Sequence, residues 1–330
     1  MTDDAPVRPT EPLPWHRRAY DDLRTREAAG RLPQTLLLSA PSGTGLAHFA
    51  DVVTARLLCM AQTADERPCG TCRGCKQWQS GNHPDALALN PEGAGQEIGV
   101  DAVREALSAL SLSRHYDGYR VARLHPAEAL NRNAANAMLK SLEEPGPGTV
   151  FLLLSEQPRT LLATIRSRAQ NLALPAPDES QSRAWLEAQG LSDIDARIAA
   201  HPVQPMHAVA AEDIATLHKQ YTDALDSVLK SAAQISDCAK SLGSGRDEAV
   251  RFLDWLAARE WRQSLETVAT TESAHQAVER YRLTLNARAA LRAYTPPQLA
   301  LESLLISWRT LQPRQRTTTG PRRPNQHEAR

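Results

Sequence analysis

Residues 35–47 read TLLLSAPSGTGLA, and this stretch decides how the first half of the chain folds. Thr35–Ser39 is a strand-sized aliphatic run, and the glycines that follow it predict a tight turn that opens a helix. Four further runs of this size alternate with helical patterns, which predicts an α/β domain with parallel strands and right-handed crossovers. These four predicted strands are Ala86–Asn90, Tyr119–Leu124, Thr149–Ser155 and Asn171–Leu174.

Two amphipathic helices are predicted between the strands, at Asp101–Leu112 and Asn133–Glu144, because apolar residues recur there at i, i+3, i+4 and i+7. The second helix is expected to stop at the Pro- and Gly-rich residues 145–148. After Leu174 the sequence contains no convincing strand. The first half is therefore expected to be a parallel-sheet domain over residues 1–175.

The second half is predicted to be all-helical. Residues 176–210 are expected to form a small helical unit, which Asp178 opens as an N-cap in a capping box with Gln181. Stops are expected inside this unit at three positions, namely Gly190, Pro202 and Pro205.

A larger helical domain is expected over residues 211–312, and one of its helices is predicted at Arg246–Arg262, after the Gly-Ser-Gly break at 243–245. The tail, residues 313–330, contains five arginines and one glutamate, a net charge of +4. With no aliphatic residue larger than alanine, this basic tail is expected to be disordered.

Composition excludes several classes of protein. The 330 residues contain 38 Lys plus Arg and 38 Asp plus Glu, so the chain is not expected to coat nucleic acid through bulk charge. No segment reaches the roughly 20 apolar residues of a membrane span. Residues 1–14 are Pro-rich and acidic without an apolar core, so no secretory signal is expected. We therefore expect a cytoplasmic protein, in a compartment where disulfides are rare.

Four cysteines lie in the order C-x9-C-x2-C-x2-C, at Cys59, Cys69, Cys72 and Cys75. Four thiolates at this spacing can close a tetrahedral shell around one zinc ion, and four protein ligands leave no position for a reactive water. The pattern predicts a structural zinc site, with disulfides or free buried thiols as the alternatives. Cys238, far away in the helical half, is expected to be a small core residue.

The loop after the first strand occupies the place of a phosphate-binding loop, whose working form reads G-x-x-x-x-G-K-[ST]. Gly43 and Gly45 keep the turn, but Leu46 stands where the lysine would be and Ala47 where the Mg²⁺-binding hydroxyl would be. The charge and the metal ligand that phosphoryl transfer needs are both missing. The loop is predicted to keep its shape and to have lost its chemistry.

Two further features are weak when they are considered alone. An acidic pair that would hold Mg²⁺ after the Tyr119–Leu124 strand is replaced by His125-Pro126, and only Glu128 remains nearby. Ser167 and Arg168 precede the last strand, and a lone arginine is usually a solvated surface residue. From the residues alone, no role is assigned to Ser167 or Arg168.

Taken together, these segments resemble the delta-prime family of clamp-loader subunits of bacterial DNA polymerase III, within the AAA+ class. NAMLKSLEEP at 136–145 is similar to the N-A-L-L-K-x-L-E-E-P signature of clamp-loader ATPases, and TIRSR at 164–168 is similar to T-I-x-S-R-C. The resemblance also covers LPW at 13–15, GVDAVR at 99–104 and the cysteine pattern, and it is dense over residues 12–174.

The resemblance implies an α/β P-loop domain of the AAA+, RecA-like kind. In this domain a zinc module with four cysteine ligands, at about residues 59–85, is inserted, and a helical lid and an all-α collar follow. It also implies that Arg168, with Ser167 beside it, acts as an arginine finger in trans on ATP bound by a neighbouring subunit. Ala169 departs from the family's third motif position, which is cysteine. Arg114 and Arg120 would lie in the half that faces the central chamber.

The implied function is that of a non-hydrolysing subunit of a DNA polymerase holoenzyme. Its partners would be the gamma/tau and delta subunits, the sliding clamp and primed DNA, within a hetero-oligomeric ring. ATP would be bound by neighbouring subunits and not by this chain. Two alternatives stay open, namely an active clamp-loader ATPase with an unusual loop and a zinc-dependent DNA-binding protein.

Overall fold

A computed structural model describes residues 8–93, 96–111, 114–210, 214–266, 271–292 and 295–311 of the chain. The predicted basic tail at 313–330 and the predicted domain boundary at residue 211 lie outside the described residues. The chain divides into two compact units. The first consists of the described residues of Met1–Ile194 and Pro202–Glu212, and the second of those of Asp195–His201 and Asp213–Arg330.

A five-stranded parallel sheet with the strand order β2-β3-β4-β1-β5 forms the centre of the first unit. The strands are β1 (Thr35–Ser39), β2 (Ala86–Leu89), β3 (Arg120–Leu124), β4 (Thr149–Ser155) and β5 (Gln170–Ala173). All five lie within one residue of the predicted positions at either end. The predicted parallel α/β sheet is therefore confirmed.

Nine α-helices lie in the described part of the chain up to residue 210, and all except most of α8 belong to the first unit. They are α1 (Arg17–Ala28), α2 (Leu46–Leu58), α3 (Arg73–Gln79), α4 (Val100–Ser111), α5 (Arg132–Glu143), α6 (Ala163–Arg166), α7 (Glu179–Ala188), α8 (Ile194–Ala200) and α9 (Pro205–Ala210). Apart from its first residue, α8 is assigned to the second unit.

The sheet is covered by helices on both faces, because successive residues of a strand point to opposite sides. On one face, Leu36 and Leu38 of β1 pack in a buried cluster with Phe49 of α2. On the other face, Leu37 packs in a second cluster with Met138 of α5. All residues of β1 and β4 are buried, as expected for strands in the middle of a parallel sheet.

Local sequence signals explain several helix ends. The Asn131 side chain caps α5 by accepting a hydrogen bond from the Ala134 amide at 2.9 Å. Asp178 and Gln181 form the predicted capping box at the start of α7, with reciprocal hydrogen bonds of 2.7 and 3.0 Å. The expected stop at Pro205 is wrong, because this proline begins α9, where the missing N–H costs nothing.

The second unit is helical in its described residues. Its other helices are α10 (Ile214–Lys230), α11 (Gln234–Leu242), α12 (Arg246–Glu266), α13 (Thr271–Arg292) and α14 (Pro297–Thr310). The predicted apolar face of α12 is buried at Phe252, Leu253 and Leu256, and Cys238 is buried as predicted. None of the described helices combines the length and the apolar character of a membrane span.

A buried ion pair lies in this helical core. Arg280 of α13 donates to Glu260 of α12 at 2.6 Å, and the Trp308 indole N–H donates to the other carboxylate oxygen at 3.1 Å. Both charged side chains are almost completely shielded from solvent. Such a pair positions helices mainly because breaking it would leave one charge buried without its partner.

We expect Leu153→Ala to lower the free energy of unfolding by about 2–5 kcal/mol, because the leucine is fully buried in the central strand β4 and its loss leaves a cavity. Urea unfolding of the full chain, followed by circular dichroism, measures the change. Leu162→Ala is the control, since Leu162 is 38% exposed. Equal losses in the two variants would contradict the assigned sheet core.

Candidate functional site

The loop at residues 40–47 joins the carboxyl end of β1 to the start of α2. Gly43 and Gly45 have φ angles of 73° and 96°, a left-handed conformation that favours glycine. Leu46 turns into the hydrophobic core and is only 4% exposed, whereas Ala47 faces solvent. The turn that the sequence predicted is therefore present, and a buried aliphatic side chain occupies the lysine position.

The chain's own residues close this loop from one side. The Met206 amide of α9 donates to the Gly43 carbonyl at 3.0 Å. A Cβ atom at position 43 would lie 2.8 Å from Nδ1 of His207 and 2.9 Å from Cβ of Gln204, so Gly43 permits a close approach of α9. Ser42 Oγ lies 3.5 Å from Nε2 of His207.

Aromatic residues close the other side of the loop. The Trp15 indole N–H donates to the Thr44 carbonyl at 2.9 Å, and Trp15 also packs edge-on against Trp185 with ring centroids 5.7 Å apart. His16 next to it is fully buried, and burial lowers the pKa of its imidazole to about 4. The imidazole is therefore neutral at physiological pH and adds no positive charge near the loop.

The end of β3 carries no acidic pair. His125 follows the strand, and burial lowers the pKa of its imidazole. Glu128 lies on a short turn and accepts a hydrogen bond from the Glu156 amide at 3.2 Å. This carboxylate thus has a local structural partner, in keeping with the weak role that the sequence suggested.

The four predicted metal ligands come together in space. The sulfur atoms of Cys59, Cys69, Cys72 and Cys75 all lie within 4.8 Å of one another, and Cys59 and Cys72 are 4.0 Å apart. A tetrahedral site with Zn–S bonds of about 2.3 Å would separate its sulfurs by about 3.8 Å. All five cysteines of the chain are free thiols, and 4.0 Å is far beyond a disulfide bond.

Backbone amides surround the cluster as they would surround thiolates. Sulfur atoms accept N–H groups of Cys69, Cys72 and Cys75 at 3.3–3.4 Å. The hydrogen bond from the Cys72 amide is the main reason that the pKa of Cys69 falls to about 6. Burial acts in the opposite direction at Cys59 and Cys75 and raises the pKa of both thiols. A divalent cation would supply the charge that keeps all four ionised.

The loop that carries two of these ligands is anchored to the sheet domain. Arg56 of α2 is buried and donates to the carbonyls of Arg67 and Ala64 at 2.7 and 2.9 Å. Glu27 of α1 forms an ion pair with Arg56 and a second one with Arg67, at 3.2 Å. The cysteine cluster is therefore built on a rigid support and does not depend on the loop alone.

Arg168 lies just after α6 and before β5, at the amino edge of the sheet. Its η1 nitrogen donates to the Thr164 carbonyl at 3.0 Å and to Ser167 Oγ at 3.3 Å. Its η2 nitrogen forms an ion pair with Glu143, at the end of α5. These contacts fix the guanidinium within its own chain. The Arg168 side chain is still 29% exposed and reaches the surface.

The two arginines of the half that would face the central chamber differ in exposure. Arg120 is buried, forms an ion pair with Asp85 at 3.4 Å and donates to the Leu110 carbonyl at 2.7 Å. The Arg120 charge is therefore paired inside the sheet domain and does not reach the surface. Arg114 is exposed and donates to the Gly118 carbonyl at 2.7 Å.

Sequence reasoning missed the partners of the loop and of Arg168. Gln204 and His207 lie some 160 positions after Gly43, and no local pattern connects them. In the sequence, Glu143 is one letter of the 136–145 signature and carries no mark of its partner. The available signal was that the two motifs precede β4 and β5, which flank β1 in parallel, so both motifs end at the same edge of the sheet.

Comparisons with known proteins agree with the sequence motifs. The family described as "DNA polymerase III, delta subunit" matches residues 15–178. The DNA polymerase III subunit delta' of Pseudomonas aeruginosa is 41% identical over 180 residues, which cover 54% of this chain and 53% of that protein. The chain thus matches about half the length of this relative.

In three dimensions, the chain is similar to a DNA polymerase III gamma subunit-related protein of Thermotoga maritima, with a TM-score of 0.48 and 17% identity over 87% of this chain and 98% of that one. The DNA polymerase III subunit delta' of Yersinia pestis is 33% identical over 274 residues, 78% of this chain and 79% of that protein. Because this match spans more than three quarters of both proteins, the chain belongs to the delta-prime family of DNA polymerase III subunits.

Proposed function

We propose that this chain is a non-hydrolysing subunit of a clamp loader and that it supplies an arginine finger in trans. It works in a hetero-oligomeric ring with gamma/tau and delta subunits in the cytoplasm. The ring places the sliding clamp on primed DNA, and the neighbouring subunits bind the ATP. Family membership, together with the 136–145 and 164–168 motifs, supports the assignment to a clamp loader.

The observation that carries this proposal is the closed loop at residues 40–47. Leu46 is buried where a phosphate-binding lysine would be, and Ala47 offers no hydroxyl for Mg²⁺. His207 and Gln204 lie against Gly43. A loop without the charge, without the metal ligand and with its own chain packed on it supports a subunit that does not turn over ATP.

The topology supports an action of Arg168 on a neighbour. The loop at 40–47 follows the carboxyl end of β1, whereas Arg168 precedes the amino end of β5, which pairs with β1 in parallel. The five residues of β1 separate the two edges by about 16 Å. Arg168 is thus remote from the nucleotide position of its own chain, and its partly exposed guanidinium can face another subunit.

The remaining parts of the chain fit the same proposal. We assign residues 1–175 to the AAA+, RecA-like sheet domain, 176–210 to a lid and 211–312 to a collar that helps to close the ring. The helices α10–α14 support a helical collar. The four clustered thiols support a structural zinc ion, because their sulfur spacing suits a tetrahedral site and leaves no open ligand position.

Replacing the proposed finger tests the function directly. We expect the isolated chain to hydrolyse no ATP, and Arg168→Ala to slow the clamp- and DNA-stimulated ATPase of the reconstituted ring by more than about tenfold, since arginine fingers contribute about 10³–10⁵ in rate. Steady-state phosphate release measures both.

The matched control for this experiment is Arg166→Ala, an exposed arginine on α6. It removes the same charge from the neighbouring surface, and it should leave the ring's ATPase within about twofold of wild type because salt screens an exposed charge. ATP hydrolysis by the isolated chain would show that the chain is a motor. A ring unaffected by Arg168→Ala would reduce the chain to a scaffold.

Metal removal tests the zinc site. We expect the full chain to contain one zinc ion, and Cys72→Ser to lose it together with several degrees of melting temperature, because metal-binding free energy becomes folding free energy. Elemental analysis and thermal melting with and without a chelator measure these effects, and the ring's ATPase should survive in the remaining folded protein.

Cys238→Ala is the control for the zinc experiment, since this buried cysteine lies outside the cluster. It should keep the metal and keep its response to the chelator. A melting curve of the wild-type chain that a chelator does not change would rule out the structural zinc ion.

A further inference from the structure

The terminal nitrogens of the Arg168 guanidinium are both held by the chain itself. An arginine has five N–H donors in a rigid fork, and three of them are engaged here. The η1 nitrogen donates to the Thr164 carbonyl and to Ser167 Oγ, and the η2 nitrogen pairs with the Glu143 carboxylate. Of the other two, the ε N–H is buried without a partner, and one η2 N–H remains for an incoming anion.

Glu143 is the charged partner of Arg168, and it lies on a different element from the other two partners, Thr164 and Ser167. Thr164 and Ser167 belong to the turn that carries Arg168 itself, so they move with it. Glu143 is the last residue of α5, whose Met138 and Leu142 are buried against the sheet. The carboxylate therefore ties the Arg168 guanidinium to a helix that is packed on the core of the sheet domain.

We propose that Glu143 is the positioning residue of the arginine finger: it fixes the orientation of the Arg168 guanidinium before the neighbour's nucleotide arrives. This inference rests on the proposed function in trans. An arginine side chain has several rotatable bonds, and a finger that is ordered in advance loses less conformational entropy when it meets the transferring phosphate. Glu143 does not touch the nucleotide and acts only through Arg168.

The ion pair has little to do with holding the fold together. Glu143 is 48% exposed, and ion pairs as exposed as this contribute little to stability. Removing the carboxylate should therefore leave the melting temperature and the assembly of the ring almost unchanged. A catalytic effect without a stability effect is what distinguishes a positioning residue from a structural one.

The test is Glu143→Gln in the ring reconstituted with gamma/tau and delta subunits, clamp and primed DNA. We expect kcat for ATP to fall about three- to tenfold with KM unchanged, because a misoriented finger stabilises the transition state less and leaves substrate binding unaltered. Glu144→Gln is the matched control: it removes the same charge from the next residue, and among the described contacts Arg168 pairs with Glu143 and not with Glu144. It should behave like wild type.

A double mutant decides whether Glu143 acts through the finger. In the Arg168→Ala background, Glu143→Gln should cause no further loss, since the group that it positions is gone. If Arg168→Ala has no effect, the proposed function itself fails. If Arg168→Ala slows the ring but Glu143→Gln does not, only the positioning role fails. A faster ring with Glu143→Gln would overturn the inference and identify a carboxylate that withholds the finger.

Discussion

The parallel pairing of β1 with β4 and β5 is the constraint on which the rest of this structure depends. Because all five strands run in one direction, every connection returns from the carboxyl edge to the amino edge through a crossover. The loop at 40–47 is thereby placed at one edge, while Glu143 and Arg168 meet at the other. The Arg168 guanidinium therefore lies at the edge of the sheet opposite the loop at 40–47 of its own chain.

The predicted loss of phosphate chemistry in the loop has a structural counterpart. A loop that binds nucleotide must leave space for phosphates, whereas this one is fastened to α9 through Gly43 and to Trp15 through Thr44. Glycine at position 43 has the left-handed φ of the turn, and its missing side chain also admits α9, because a Cβ atom there would collide with His207 and Gln204. Gly43 therefore serves both the turn and the packing of α9 on the loop.

The cysteine cluster and the finger depend on burial in opposite ways. In the proposed zinc site a cation would offset the charge of four thiolates shielded from water, and the support of the cluster is closed by Arg56 and Glu27. The proposed finger, Arg168, would have to keep part of its charge at the surface, and its support consists of a half-exposed carboxylate and two local oxygens. Each site has the degree of exposure that its proposed role requires.

The sequence by itself determined the strands, the capping box at Asp178, the buried face of α12 and the set of four cysteines, because alternating burial, caps and ligand spacing are local patterns. From Leu46 and Ala47 it also predicted the loss of phosphate chemistry in the loop. Only the tertiary structure decided that Pro205 begins a helix packed on Gly43, that Arg120 is buried against Asp85 and that Glu143 holds Arg168. These contacts join residues that lie far apart in the chain, and no local pattern encodes which distant side chains a fold brings together.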